Sequence, residues 1–262
     1  MATKFALHEL KMKMPDGSEF SFWFDGNGKI TLDNGSFHNP APNAFSLVQV
    51  KDCPSATPTC TSVCYVHKLE KAEAEVHSKY SHNSKTIREI LENSIYHQIT
   101  ERAFAEWIKE NCPHGFRWHV SGDIFSLEYA RFIASVCNFA PHIFFWIYTR
   151  SFDFVDPLMH APNLVVNLSA DKDNYAKALL THEKFETRIC YLSLEGELPK
   201  DLPAGSVIFP NYTLRGRELS DPTEAPWWQS LSQEQKRMVC PPDFFGQSEK
   251  FRCGPCRKCL TH

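Results

Sequence analysis

From residue 116 to residue 209 the chain repeats one pattern: a short apolar run of strand length, then a stretch whose apolar residues recur at helical spacing. Strand-like runs cover 116–120, 143–148, 164–168, 188–192 and 207–209, and helix-like stretches cover 126–139, 152–159 and 174–181. Strands that alternate with helices are joined by right-handed crossovers, so the pattern predicts a mostly parallel sheet. Upstream, apolar runs at 5–14, 20–24 and 30–32 are separated by Pro15-Asp16-Gly17 and Asn27-Gly28, which predicts two β-hairpins. A further strand over 45–50 runs into a Cys/Pro/Thr-rich loop, and residues 69–112, with neither Gly nor Pro, read as one long helix or two. A helix near 229–238 leads into a Cys-rich tail. The fold expected is α/β: a partial (β/α)6-type barrel core over 41–225, an N-terminal β-hairpin region over 1–40 and a Cys-rich tail over 226–262.

Composition sets the broad class. Among 262 residues, 42% are hydrophobic, with twenty Phe, eight Tyr and six Trp, enough apolar surface to offset ordering entropy, which excludes disorder as the main state. No window approaches the roughly 18 apolar residues of a membrane span, and residues 1–20 lack the apolar core of a secretory signal, so a cytoplasmic protein with no membrane partner is expected. A net charge of -3 argues against a mainly electrostatic nucleic-acid binder while leaving room for a local basic patch.

Ten cysteines in a cytoplasmic chain point to metal ligation or catalysis rather than disulfides. Cys240, Cys253, Cys256 and Cys259 form a C-x12-C-x2-C-x2-C group in a Gly/Pro/Lys/Arg-rich tail, suited to a tetrahedral zinc or a four-iron cluster. Cys53, Cys60 and Cys64 form a C-x6-C-x3-C group directly after a strand. Three thiolates leave one coordination position open; His67 closes the site in the alternative reading as a three-cysteine, one-histidine zinc site. A set of Cys60, Cys64 and His67 leaves Cys53 idle, and the three cysteines are preferred. Cys112, Cys137 and Cys190 stand alone in helical or strand contexts and read as core residues.

Each expected parallel strand ends in a polar cluster: His119 to Asp123, Tyr148 to Ser151, Asn167 to Asp171, Ser193 to Glu195, then Pro210-Asn211. Ligands of parallel α/β sheets bind at the carboxyl ends of the strands, the edge where the cysteine loop also belongs. The bland reading is turn and helix-cap chemistry, with Ser126, Asp153 and Asp173 as caps. Arg215 and Arg217 read as a surface turn, and Trp227-Trp228 beside Pro226 as packing at a helix start.

The segments CPSATPTCTSVCYVHK, FRWHVSGDIFSLEY, FWIYTRS, NLVVNLSAD and the tail CPPDFF…CGPCRKC resemble a phage-encoded family known as gene product eighty-eight, over more than three quarters of the chain. A more distant resemblance, one of arrangement, is to the radical S-adenosylmethionine enzymes. They place three cysteines after the first strand of a partial barrel and a glycine-and-acid motif after the second. That resemblance implies a [4Fe-4S] cluster on Cys53, Cys60 and Cys64, with S-adenosylmethionine held by Ser121, Gly122, Asp123, Asn167 and Ser169. It implies substrate-side and catalytic roles for Asp123, Tyr148, Arg150 and Asp171, and a second cluster or a zinc ion in the tail. The usual radical spacing is C-x3-C-x2-C, from which this chain departs. The expected partners are a small-molecule or nucleotide substrate and an electron donor. Two other readings stand beside it: a phage-encoded, metal-stabilised protein that binds a host partner without catalysis, and a zinc enzyme acting on nucleotides or nucleic acid, for which no H-x-E plus P-C-x-x-C signature is present.

Overall fold

The computed structural model describes residues 6–26, 42–67, 74–211, 221–245 and 253–260. Its centre is one open eight-stranded sheet whose strands lie in chain order: β1 (Ala6–Lys13), β2 (Glu19–Gly26), β3 (Pro42–Phe45), β4 (Phe116–Trp118), β5 (Phe145–Thr149), β6 (Leu164–Ala170), β7 (Arg188–Ser193) and β8 (Val207–Pro210). The first three strands pair antiparallel, and every pair from β3 to β8 is parallel. The chain is thus a mixed α/β protein. Gly17, at φ +89 in the turn between β1 and β2, supplies the left-handed residue that the Pro-Asp-Gly sequence promised. The second expected hairpin, at 30–32, lies outside the described residues.

Side-chain alternation separates the two faces of the sheet. Along β6, Leu164, Val166, Leu168 and Ala170 join the large core with the helices, while Val165 turns to the other side. A short helix, α1 (Pro58–Ser62), lies in the loop after β3, and the helical side holds α2 (Ala74–Leu91), α3 (Ser94–Asn111), α4 (Leu127–Phe139), α5 (Val155–Leu158) and α6 (Tyr175–Phe185). Phe104 of α3 is the hub, with ring centroids 4.7 Å from Phe22, 5.3 Å from Phe45 and 5.3 Å from Phe132. On the opposite side Leu260 of the tail packs with Ala44, Val120, Trp146 and Val165. Both faces of the parallel sheet are therefore covered, as parallel sheets require.

Several boundaries differ from the sequence reading. The strand expected at 45–50 ends at Phe45, because Ser46 leaves the ladder to donate its hydroxyl to the buried Asp25 and to accept the amides of Val120 (3.2 Å) and Ser121 (3.3 Å). In the region 69–112, read as one long helix or two, the described residues form two, separated where Asn93 caps α3 by accepting from the amides of Ile95 and Tyr96. The helix expected near 229–238 is likewise two short ones, α7 (Pro226–Ser230) and α8 (Gln233–Met238), the second opened by a Ser232/Gln235 capping box. Trp227 and Trp228 do pack at a helix start, with Trp228 stacked on Phe244 at 4.5 Å. Arg215 and Arg217 lie outside the described residues.

Candidate functional site

The cysteine loop leaves the carboxyl end of β3 and is tied at several points to the ends of the neighbouring strands. Leu47 donates its amide to the Ser121 carbonyl (2.9 Å), and Asp123 donates its amide to the Asp52 carbonyl (2.7 Å). Gly122 makes this approach possible: it sits at φ +79, and a Cβ there would meet the Leu47 Cβ at 2.6 Å. Further along, Thr57 caps α1 by accepting the Cys60 amide (3.0 Å), with Pro58 in the first turn where its missing N–H costs nothing. The same Thr57 hydroxyl donates to Asp171 Oδ2 at 2.6 Å, and Arg150 Nη1 reaches that oxygen at 2.6 Å. Asp173 accepts the Thr59 amide (2.9 Å), so it clamps the loop rather than capping α6, which starts after Asn174. Of the other expected caps, Ser126 does cap α4 by accepting the Tyr129 amide, whereas Asp153 lies inside a short 3-10 turn (Phe152–Phe154).

Two carboxylates at this edge, Asp123 and Asp171, are buried and hydrogen-bonded through both oxygens. Asp123 accepts from the Thr149 hydroxyl, the Arg150 amide and the Ile124 amide, each at 2.7 Å, yet burial still pushes its carboxyl above the ordinary range. Asp171 is completely buried and meets the nearly buried Arg150 as an ion pair. Beneath the loop, Asp52 pairs with Arg88 of α2 at 2.5 Å, and the Arg88 guanidinium lies 3.8 Å from the Phe125 ring centroid. None of these links except Arg150 and the strand-end acids stood out in the sequence. The Thr57-Pro58 pair was the one local signal, a cap residue before proline.

Cys53, Cys60 and Cys64 are half-buried thiols, unlike Cys112 and Cys137, which are enclosed in the aromatic core. The three lie close enough to influence one another: burial first, then the Asp123 carboxylate and the other two thiols, push the Cys53 thiol up to about 12, and Cys60 is raised chiefly by burial against the pull of Arg150. Among the described residues no three His, Cys, Asp or Glu side chains gather as tightly as one ion needs. Two hydroxyls at this edge, Ser121 on the segment after β4 and Ser151 after β5, are 3% and 1% exposed and have no hydrogen-bond partner among the described residues. Orphaned buried donors of this kind are what a bound polar group satisfies. The loop thus brings three half-buried thiols to the edge at which these two buried hydroxyls lie. His67 is exposed and takes a 3.0 Å hydrogen bond from the Gln49 amide.

The remaining site residues fall elsewhere. Asn167 lies on the face of the sheet that the tail covers, and its amide donates to the carbonyls of Ile147 (3.2 Å) and Cys259 (3.1 Å). Ser169 is half-buried two residues on, its carbonyl accepting from Asn174 (3.2 Å). Tyr148, half-buried, packs with Cys190, Val207, Phe209, Cys240 and Cys259, under the Arg117 guanidinium at 4.8 Å. The Cys259 thiol is held down to about 7, first by a hydrogen bond from Cys190 and then, against burial, by one from Tyr148. Of the expected site residues, the structure brings Cys53, Cys60, Cys64, Ser121, Gly122, Asp123, Arg150 and Asp171 to one edge, and gathers Tyr148, Asn167, Cys240 and Cys259 under the tail. Cys190, assigned to the core, is buried as expected but belongs to this second group.

Fold and site together define an α/β protein with an open, largely parallel sheet, a cysteine loop at its carboxyl edge and a cysteine-bearing tail on the face opposite the long helices. Residues 20–262 match the family model "Gene product 88", and the chain belongs to that family. It is 32% identical over 166 residues to the Gene 88 protein of Mycobacterium phage L5, and 33% identical over 157 residues to the Gene 88 protein of Mycobacterium phage D29. These alignments take in 61% and 57% of this chain, and span 66% and 61% of the relatives' own lengths. No solved structure matches the chain. Among the described residues no helix is long and apolar enough to cross a membrane.

Proposed function

We propose that the chain is an iron-sulfur protein in which Cys53, Cys60 and Cys64 hold a [4Fe-4S] cluster at the carboxyl edge of the sheet, with one coordination position open toward S-adenosylmethionine. The observation that carries this reading is the placement of the three-thiol loop after the first parallel strand, against the Ser121-Gly122-Asp123 turn that follows the second. The in-order run of parallel strands supports a partial (β/α)6-type barrel, since successive right-handed crossovers between neighbours put every helix on one side. A cytoplasmic site in the phage host, with a reducing partner and a small-molecule or nucleotide substrate, belongs to the same reading.

When bound, a cluster of this type supplies one-electron reductive chemistry toward a sulfonium cofactor. The chain's own part is positioning. Thr57, Arg150 and Asp171 fix the loop helix that carries Cys60. Ser121 and Ser151 present free hydroxyls to a polar ligand at the edge. Asp123, held by three donors, keeps the ends of β4 and β5 in register with the loop. Tyr148 and Asn167 act on the tail side, where Cys240, Cys253, Cys256 and Cys259 hold a second cluster or a zinc ion.

The test is the triple variant Cys53→Ala/Cys60→Ala/Cys64→Ala, purified without oxygen. It is expected to lose about four irons per chain and S-adenosylmethionine binding while keeping its circular dichroism. Retention of both iron and cofactor binding sinks the proposal. One observation favours a second reading, a metal-stabilised binding protein without catalysis: the tail seats Leu260 on Ala44, Trp146 and Val165, filling the sheet face where a barrel enzyme would keep room for substrate. Iron restricted to the tail and zinc at the loop would select it.

A further inference from the structure

The spacing groups Cys259 with Cys240, Cys253 and Cys256, but in the fold its thiol meets that of Cys190, which the spacing leaves out. Cys190 lies in the middle of β7: its neighbours Ile189 and Tyr191 enter the helix-side core, so Cys190 faces the tail. There its thiol donates to the Cys259 sulfur. The other two cysteines read as core residues are engaged differently. Cys112 donates to the Pro42 carbonyl (2.8 Å), and Cys137 accepts from the Trp118 indole.

The two sulfurs come from separated elements, and each is held on its own account. Cys190 is in register with Ser169 of β6 on one side and Val207 of β8 on the other. Cys259 is placed by the Asn167 amide on its carbonyl (3.1 Å) and by Leu260, which packs with Ala44, Val120, Trp146 and Val165. Polar groups attend both sulfurs: the Asn167 side-chain oxygen lies 3.8 Å from that of Cys190, and the Tyr148 hydroxyl donates to that of Cys259. Cys259 is half-buried and Cys190 is 2% exposed. A buried thiol in contact with a more accessible one is the arrangement in which the outer sulfur reacts first and the inner one resolves the product.

We propose that Cys190 and Cys259 are a redox pair, which a small-molecule disulfide closes into a reversible disulfide that fastens the tail to β7. The Cys259 sulfur displaces one thiol from the small disulfide and bonds to the other half, its proton leaving with the departing thiol. The Cys190 sulfur then displaces the second thiol in the same way and bonds to Cys259. Two electrons pass from the protein pair to the small disulfide, which leaves as two thiols. To the noncovalent ties of Asn167 and Leu260 the bond adds a covalent one, which keeps Leu260 over its sheet face. The inference goes beyond the reading of the tail as a metal centre and does not rest on it. Among the described residues no three ligating side chains gather as one ion needs, and two sulfurs suffice here.

The experiment takes the full chain through glutathione buffers from reducing to oxidising, quenches with N-ethylmaleimide and maps the digest by mass spectrometry. A Cys190–Cys259 linked peptide is expected to grow in as the buffer becomes oxidising and to be lost on adding excess dithiothreitol. Cys190→Ser, without the resolving sulfur, is expected to stop at a glutathione adduct on Cys259. Should that variant fail to fold, Cys190→Ala is measured in its place, and the mapping on the parent needs no variant. Trypsin cuts after Arg257 and Lys258 in the tail, and cleavage of native chains follows the opened form. The oxidised parent should therefore be cut there more slowly than the reduced one, while Cys190→Ser should be cut at one rate in both buffers. Cys190 unlinked in every buffer overturns the pair, as does a bond from Cys259 to Cys240, Cys253 or Cys256 instead. Cys259 shielded from glutathione by a tail metal overturns it too and leaves the tail centre standing. Equal trypsin rates for the reduced and the linked parent overturn the fastening.

Discussion

Arg150 and Asp171 form a 2.6 Å ion pair that joins the end of β5 to the end of β6, and Thr57 of the cysteine loop donates to the same carboxylate oxygen. Asp171 is fully buried and the Arg150 side chain 10% exposed, so neither charge has water to fall back on. A buried pair of this kind does not stabilise much for its own sake, but removing one partner strands the other. Asp171→Ala is therefore expected to cost about 3 kcal/mol or more in denaturant unfolding. It should also release the cap of the loop helix and speed alkylation of Cys60 in the metal-free protein. A variant with parental stability and parental Cys60 reactivity would show that the clamp is not built through this carboxylate.

Gly122 provides a backbone test of the same edge. An alanine Cβ would meet Leu47 Cβ at 2.6 Å and Leu47 backbone atoms at 3.2 Å, on top of the strain of φ +79. Gly17, at φ +89, has open space around the same position. Gly122→Ala is expected to destabilise by about 2 kcal/mol or more, combining backbone strain with the clash, and Gly17→Ala by the smaller backbone cost of about 1 kcal/mol. Chemical denaturation of the two variants measures the difference, and equal losses would refute the close approach of loop and turn.

The Asp25 carboxyl is buried and pushed up to about 7 by that burial, against hydrogen bonds from Ser46 and Tyr80 (3.0 Å) and the charge of Arg117. In the unfolded chain it titrates near 3.9. Between these values the folded state holds a proton that the unfolded state has lost, so this group's contribution to stability falls as pH rises from about 4 to 7 and is constant above. Asp25→Asn removes that slope and is expected to gain on the order of 1 to 3 kcal/mol relative to the parent between pH 4 and pH 8. Thermal melts across the range provide the check; a variant-minus-parent difference independent of pH would contradict it.

His119 behaves in the opposite sense. Burial, aided by Arg117, lowers its imidazole to about 3, while Nε2 meets the Tyr129 hydroxyl at 2.8 Å. The unfolded imidazole takes its proton near 6.5, so stability is lost as pH falls from about 6.5 toward 3. His119 also sits at φ 62, a left-handed position that Asn tolerates well. His119→Asn is expected to lose the Tyr129 contact at neutral pH and to flatten the acid-side decline, which urea titrations at pH 7 and pH 5 would resolve. An unchanged acid slope would mean that the ring is protonated in the fold.

How far the sequence reached depended on what each segment had to bury. The runs at 143–148, 164–168 and 188–192 were legible because each is short, apolar and bounded by turn residues, and each is a strand. The run at 45–50 looks just as apolar, but its pairing stops at Ser46, whose hydroxyl bridges Asp25 and the Val120 and Ser121 amides; a polar bridge across separate segments leaves no local pattern. The facing of Cys190 was illegible for a related reason. When a strand is covered on both faces, apolar residues stop alternating with polar ones, and parity can be read only from the packed neighbours. The strand-end acids announced a shared edge, yet Asp173 serves there as a partner of Thr59 and not as the cap its position suggested.

The central claim is that the Cys53, Cys60 and Cys64 loop holds an iron-sulfur cluster with an open position, and it is tested most directly on the unmodified chain. Anaerobic purification followed by iron, sulfide and zinc quantitation, with spectra of the reduced protein before and after adding S-adenosylmethionine, gives the answer in one preparation. The account predicts about four or eight irons per chain with matching sulfide and a cofactor-dependent change in the reduced-cluster signal. Stoichiometric zinc with negligible iron, and spectra indifferent to the cofactor, would contradict it.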